Sequence, residues 1–178
     1  MPLRIIIDGY NLIRQSPTLR SYDNLEIVKG REKLIEMLAP YRSLKRHPML
    51  VVFDGWQEGA FTEQRTREKG IDIIYSKRGE KADEVIKRLV SSSGEELIVV
   101  TSDHEITHFC QSRRCEVISS PSFEESFEEK IEFSLLAHEK GLEEEDEKPL
   151  PPLSTKKKGP SRKPPKSKRR SQRRLKKL

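Results

Sequence analysis

Aspartate ends three apolar, β-branched runs in this chain. Leu3-Arg4-Ile5-Ile6-Ile7 stops at Asp8-Gly9-Tyr10-Asn11, and Leu50-Val51-Val52-Phe53 stops at Asp54-Gly55. The third run, Leu97-Ile98-Val99-Val100-Thr101-Ser102, stops at Asp103. A fourth acid, Asp83, follows Ala82 at the start of an expected helix and can point to the same place. Carboxylates gathered at one point repel one another and are costly to desolvate, and a divalent cation with oxygen ligands offsets both costs. Asn11 adds a carbonyl oxygen and an amide donor, while Thr101 and Ser102 add hydroxyls. Hard oxygen donors without a neighbouring thiolate favour Mg²⁺ or Mn²⁺ over Zn²⁺. Such an ion polarises a phosphate and lowers the pKa of bound water, which is the chemistry of phosphodiester hydrolysis.

Each acid alone has a structural reading. Asp-Gly after a strand is a common turn. Asp83 suits a first helical turn, and Asp103 suits an N-cap. The case for a site rests on four acids falling at matching places in the topology.

Those places are set by alternating strands and helices. Strands are expected at 3–8, 49–53, 71–75, 97–101 and 115–118. A helix is expected over 24–39, capped by Asp23 or Asn24, with Leu25, Val28, Leu34, Ile35 and Leu38 as its apolar stripe and Pro40 as its stop. Others are expected over 81–92, from near Asp103, and over 122–139, the last with Phe123, Phe127, Ile131, Phe133, Leu135 and Leu136 on a broad apolar side. The polar segment through Arg67 reads as partly helical. Strands separated by helices imply an α/β fold: a mostly parallel central sheet between two helical layers, with ligands beyond the strands' carboxyl ends.

The order Ile-Ile-Asp8-Gly-Tyr-Asn11, Val-Val-Phe-Asp54-Gly, Gly79-Glu-Lys-Ala-Asp83 and Val-Val-Thr-Ser-Asp103 resembles the NYN branch of the PIN-like nuclease superfamily. More narrowly it resembles the YacP-like bacterial proteins. The resemblance covers about residues 3–140. It implies a three-layer PIN-like α/β/α fold and Mg²⁺- or Mn²⁺-dependent endoribonuclease activity. It also implies Asp8, Asn11, Asp54, Asp83 and Asp103 as site positions, and partners among RNA (mRNA or rRNA) and the ribosome. In the mechanism that follows, Asp8, Asp83 and Asp103 bind the metal directly or through water, and Asp54 supports them. Asn11 and Ser102 position substrate, and hydrolysis leaves a 5′-phosphate and a 3′-hydroxyl. The family often carries an acid one turn after the Ala-Asp pair, where this chain has Lys87, with Glu84 its nearest substitute.

A competing motif is His104-Glu105-Ile106-Thr107-His108, a literal zinc-peptidase signature. Its chemistry requires both histidines on an established helix together with a third ligand. Here the motif directly follows a strand, and Asp103 is the natural helix cap. Cys110 and Cys115 match neither zinc nor redox spacing and read as reduced structural thiols.

Charge divides the chain. From Lys148 onward lie 14 of the 35 basic residues and none of the 29 acidic ones, which leaves a body of net charge −8. This sets the expected boundary: a nuclease domain over 1–141, and an acidic, then basic, disordered tail over 142–178. Lys156-Lys157-Lys158, Lys168-Arg169-Arg170 and Arg173-Arg174 form a polycation matched to RNA phosphates, with binding that weakens as salt rises. An acidic body repels RNA, so a tethered cation raises the local substrate concentration. Within the body, Arg65, Arg67, Lys69, Lys77, Arg78 and Lys81 are candidates to line an RNA path. Tyr10 and Trp56 are candidates to stack on a base, although packing is the commoner role. No apolar run approaches the roughly 18 residues that span a membrane, and no signal-peptide pattern opens the chain. The expectation is a cytoplasmic protein without a membrane partner. A second reading stays open, that of a non-catalytic RNA- or ribosome-binding adaptor.

Overall fold

A computed structural model describes residues 3–55, 60–94 and 96–139. The tail expected over 142–178, Trp56, and the boundary at 141 lie outside these residues. Six strands form one sheet: β1 (Arg4–Asp8), β2 (Met49–Phe53), β3 (Gln64–Glu68), β4 (Ile71–Tyr75), β5 (Leu97–Val100) and β6 (Glu116–Ile118). Their order across the sheet is β3-β4-β2-β1-β5-β6, and all neighbours are parallel except the antiparallel pair β3 and β4. The helices are α1 (Gly9–Gln15), α2 (Pro17–Asp23), α3 (Ile27–Lys45), α4 (Ala82–Ser92), α5 (His104–Ser112) and α6 (Ser120–Glu139).

The central strands are apolar throughout because both sheet faces are covered. Strand alternation sends Ile5, Ile7, Val51, Phe53 and Ile98 towards α1, α2, α3 and α6. It sends Ile6, Leu50, Val52, Ile74 and Val99 towards α4 and α5. The three-layer α/β/α architecture follows from those two cores. The parallel register places Asp8 beside Val52, and Phe53 beside Tyr75, at one carboxyl edge.

Three expectations need correction. Pro40 lies inside α3 rather than ending it. The lost backbone hydrogen bond is outweighed by the packing of Tyr41, one residue later, which is buried against Phe123 and Phe127. The expected start of that helix is also displaced. Glu26 is its N-cap, Leu25 and Val28 are exposed, and the apolar stripe begins further on. The segment before β4 is an edge strand, not a partial helix. All five β3 side chains are exposed, so no apolar pattern marks it, and it pairs with β4 across Lys69-Gly70. Both turn residues have positive φ, as a tight hairpin requires.

Helices α1 and α2 were not anticipated. Their signal is Ser16-Pro17, a side-chain N-cap followed by proline at the first helical position. The helix over 82–92, the one starting at His104 and the last helix match expectation closely. Phe123 and Phe127 are buried, and the side chains beyond Glu132 lie outside the described set.

Candidate active site

Asp8 closes β1 and caps α1, and only 6% of its surface is exposed. Its Oδ1 accepts from Asn11 N–H at 3.2 Å, and its Oδ2 accepts from the Thr101 hydroxyl at 3.1 Å. Thr101 Oγ1 in turn accepts from Asp103 N–H at 3.1 Å, so one hydroxyl joins the ends of β1 and β5. Alternation along β1 puts Asp8 on the side of Ile6, facing the layer of α4 and α5. That is where Asp83 and Asp103 enter.

Asp103 caps α5, its Oδ1 accepting from Glu105 N–H at 2.7 Å and Ile106 N–H at 3.1 Å. Asp54 Oδ1 accepts from Ala82 N–H at 2.6 Å and so holds the start of α4 from across the loop. The backbone beneath Asp54 is pinned as well: Gly55 N–H donates to Ser76 Oγ at 2.8 Å. A β-carbon on Gly55 would lie 1.8 Å from Ser76 O, so only glycine fits there. Asp83 lies in the first turn of α4 and is partly buried. The same residues thus serve as caps and as an acidic group.

Their charges interact. Burial pushes the Asp8 carboxyl from 3.8 up to about 6; the Asn11 and Thr101 hydrogen bonds pull against it, and Asp83 and Asp54 add repulsion. Burial likewise raises Asp83, with further repulsion from Asp103 and Asp54. Lys87 opposes that rise. It is ion-paired to Glu105, and the Lys87 ammonium is raised chiefly by their hydrogen bond and then by the charges of Glu105, Asp83 and Asp103. A lysine therefore supplies positive charge beside the acids.

Asn11 is fixed more firmly than its sequence position suggests. Its Oδ1 accepts from Ser102 N–H and from the Ser120 hydroxyl, both at 2.8 Å. Ser120 N–H donates back to Ser102 Oγ at 3.2 Å. With the carbonyl so engaged, the amide of Asn11 is the group left to donate. Ser120, fully buried at the start of α6, was not anticipated. A polar residue just after a strand and before a helix was its only signal.

The remaining candidates separate. Arg65, Arg67 and Lys69 are ion-paired with Glu63, Asp72 and Glu36. Arg78 and Lys81 are exposed; Arg78 lies over the Phe61 ring, and the Lys81 carbonyl begins the α4 hydrogen-bond series. Tyr10 is buried and bonded to Arg31, so it packs rather than offering a face to a base. His104 and His108 are exposed, and Glu105 is taken by Lys87, so the zinc-peptidase motif lacks a free base. Cys110 and Cys115 are not joined in a disulfide.

A mostly parallel α/β/α sheet with aspartates after β1, β2 and β5 and in the first turn of α4 defines a PIN-like domain. A sequence profile places it further: the YacP-like NYN domain matches residues 5–163. The chain belongs to that family, within the PIN-like nuclease superfamily. The uncharacterized protein YacP of Bacillus subtilis (strain 168) is 29% identical over 103 residues, or 56% of this chain. That match spans only 60% of the relative's length. A crystal structure of Rae1 (YacP) from Bacillus subtilis superposes with a TM-score of 0.57 at 26% identity, over 77% of this chain and 83% of the other. A point mutant of the same protein gives 0.65 at 23% identity, over 80% and 84%. Among the described residues no helix is long and apolar enough to cross a membrane.

Proposed function

We propose that this protein is a metal-dependent endoribonuclease acting at the carboxyl edge of the sheet. The observation that supports it is the gathering of Asp8, Asp54, Asp83 and Asp103 there, with Asp8 desolvated beside Asp83 and Asp54. An oxygen-only donor set fits Mg²⁺ or Mn²⁺. Among the described residues no three of His, Cys, Asp and Glu stand close enough to share one ion. The fit is therefore to an ion held by one or two carboxylates, with water and a substrate phosphate completing its shell, as is usual for Mg²⁺. Asp8 and Asp83 would hold it, with Asp103 reached through water. Bound there, it would neutralise the acids, polarise a phosphate oxygen and lower the pKa of water.

The protein's own groups do the rest. Thr101 orients the Asp8 carboxylate, and Asp54 anchors α4 so that Asp83 faces the edge. Asn11, clamped by Ser102 and Ser120, offers its amide to a phosphate or ribose oxygen. Lys87 carries part of the neutralising charge. Arg78 and Lys81 remain open to the strand, and the basic segment from Lys156 recruits RNA, or RNA within a ribosome, by counterion release.

The test is cleavage of single-stranded and structured RNAs with Mg²⁺ or Mn²⁺, comparing wild type with Asp8→Asn and with excess chelator. Cuts that depend on both the metal and Asp8 are expected. Full activity in chelator overturns the metal requirement. RNA binding without cleavage, unaffected by Asp8→Asn, establishes the adaptor instead.

A further inference from the structure

The carboxyl edge has a second side, facing α1 and α3 rather than α4 and α5. There the Arg31 guanidinium lies 5.3 Å from the Tyr10 ring centre, 5.6 Å from that of Phe53 and 5.3 Å from that of Tyr75. Phe53 and Tyr75 end β2 and β4 in register, and their rings stack at 5.6 Å. Tyr10 meets Phe53 edge-on at 5.3 Å. Three rings thus fix one cation at the sheet edge through their negative faces.

The hydroxyls of Tyr10 and Tyr75 hold Arg31, and among the described residues no counter-ion does. Its Nε donates to Tyr10 Oη at 2.7 Å, and Nη2 donates to the same oxygen. Its side chain is hydrogen-bonded to Tyr75 as well, and among the described residues no carboxylate lies within 4.0 Å of it. The planar fork of a half-buried guanidinium suits a phosphate. The acidic group adjoins it. Asp54 follows Phe53 in sequence, and its charge is felt by both Asp8 and Tyr10. On a body of net negative charge, a fixed cation beside the acids is where a polyanion finds purchase.

Resting on the nuclease reading for its location, we propose that Arg31, held by Tyr10, Phe53 and Tyr75, binds a phosphate of the nucleic-acid strand flanking the scissile one. It is a substrate-binding residue, separate from the acids. The phosphate contact fixes where the strand crosses the edge and carries no base specificity.

The test measures binding of a labelled single-stranded RNA to the full chain in an Asp8→Asn background, which prevents cutting, between about 50 and about 200 mM salt. Arg31→Gln is expected to weaken affinity by about tenfold, and to reduce the salt slope by about 0.7. Arg31→Lys is expected to restore the slope but only part of the affinity. A DNA strand of the same sequence should show the same loss, since the phosphate is common to both. Unchanged affinity and slope overturn the proposal, as does a loss confined to RNA. If Arg31→Gln does not fold, the Arg31 Nε–H resonance of the Asp8→Asn chain is followed during RNA titration, and an unmoved signal overturns it. RNA that stays intact with the wild-type protein and metal defeats the nuclease reading alone, leaving the Arg31 result to stand or fall separately.

Discussion

The two sides of the carboxyl edge are built by opposite means. On the side of α4 and α5, short polar side chains hold carboxylates: Thr101 spans Asp8 and Asp103, and Asp54 grips the first N–H of α4. On the side of α1 and α3, aromatic rings hold a guanidinium. The first side stores repulsion, because Asp8 is buried among like charges. The second stores little, since burial of the rings is favourable by itself. The difference teaches where the proposed site costs stability. It is concentrated at Asp8.

The largest expected effect therefore separates activity from stability. Asp8→Asn should reduce RNA cleavage at least about a hundredfold, yet raise the unfolding free energy near neutral pH. In the wild type Asp8 titrates near 6 when folded and near 3.8 when unfolded. Between those values the native state binds more protons, so stability falls as pH rises and the penalty is complete above about pH 6. It amounts to at most about 3 kcal/mol. Denaturant titrations at pH 4 and pH 7 should show a wild-type decline that is smaller in the variant. A variant less stable than wild type at pH 7 would show that the hydrogen bonds of Asp8 outweigh its desolvation.

Gly55→Ala should come next, costing about 1–3 kcal/mol by forcing a β-carbon into Ser76 O. Because Asp54 moves with that backbone, cleavage should fall more than Tm alone explains; a loss proportional to unfolding would confine Gly55 to a packing role. Asn11→Ala leaves Ser102 N–H and the Ser120 hydroxyl without their acceptor, at about 1–3 kcal/mol. Its kcat should drop with little change in KM, measured by single-turnover and steady-state cleavage. Tyr10→Phe removes one oxygen that Arg31 bonds, at about 1 kcal/mol, and should weaken RNA binding without altering the chemical step. Smallest is Lys87→Ala. Its exposed pair with Glu105 contributes under about 1 kcal/mol, but loss of the ammonium should raise Asp83 further and shift the acid limb of the pH–rate profile upward.

What was legible in the sequence follows the same division. Apolar runs ending on aspartate placed β1, β2 and β5 and their acids, because buried parallel strands leave an unbroken hydrophobic pattern. The stripe from Ala82 to Val90 placed α4 equally well. β3 was hidden because every side chain on it faces solvent, and a sheet edge needs no apolar residue to pair. Pro40 misled because tertiary packing around Tyr41 overrides a local helix breaker. Arg31 and Ser120 were invisible for another reason. One arrives from the interior of a helix and the other from the start of the last one, and neither carries a motif. Contacts across 21 and 109 residues, as Arg31 makes with Tyr10 and Ser120 with Asn11, belong to the fold rather than to any local pattern.

The Ser120 hydroxyl has a mechanical consequence. It is the first residue of α6, a helix seated on the sheet by Phe123 and Phe127. Displacement of the start of that helix reaches Asn11 by two routes, directly through the 2.8 Å hydroxyl bond and indirectly through Ser102. A shift of α6 on the sheet would therefore turn the Asn11 amide, the group that the proposed mechanism gives to the substrate.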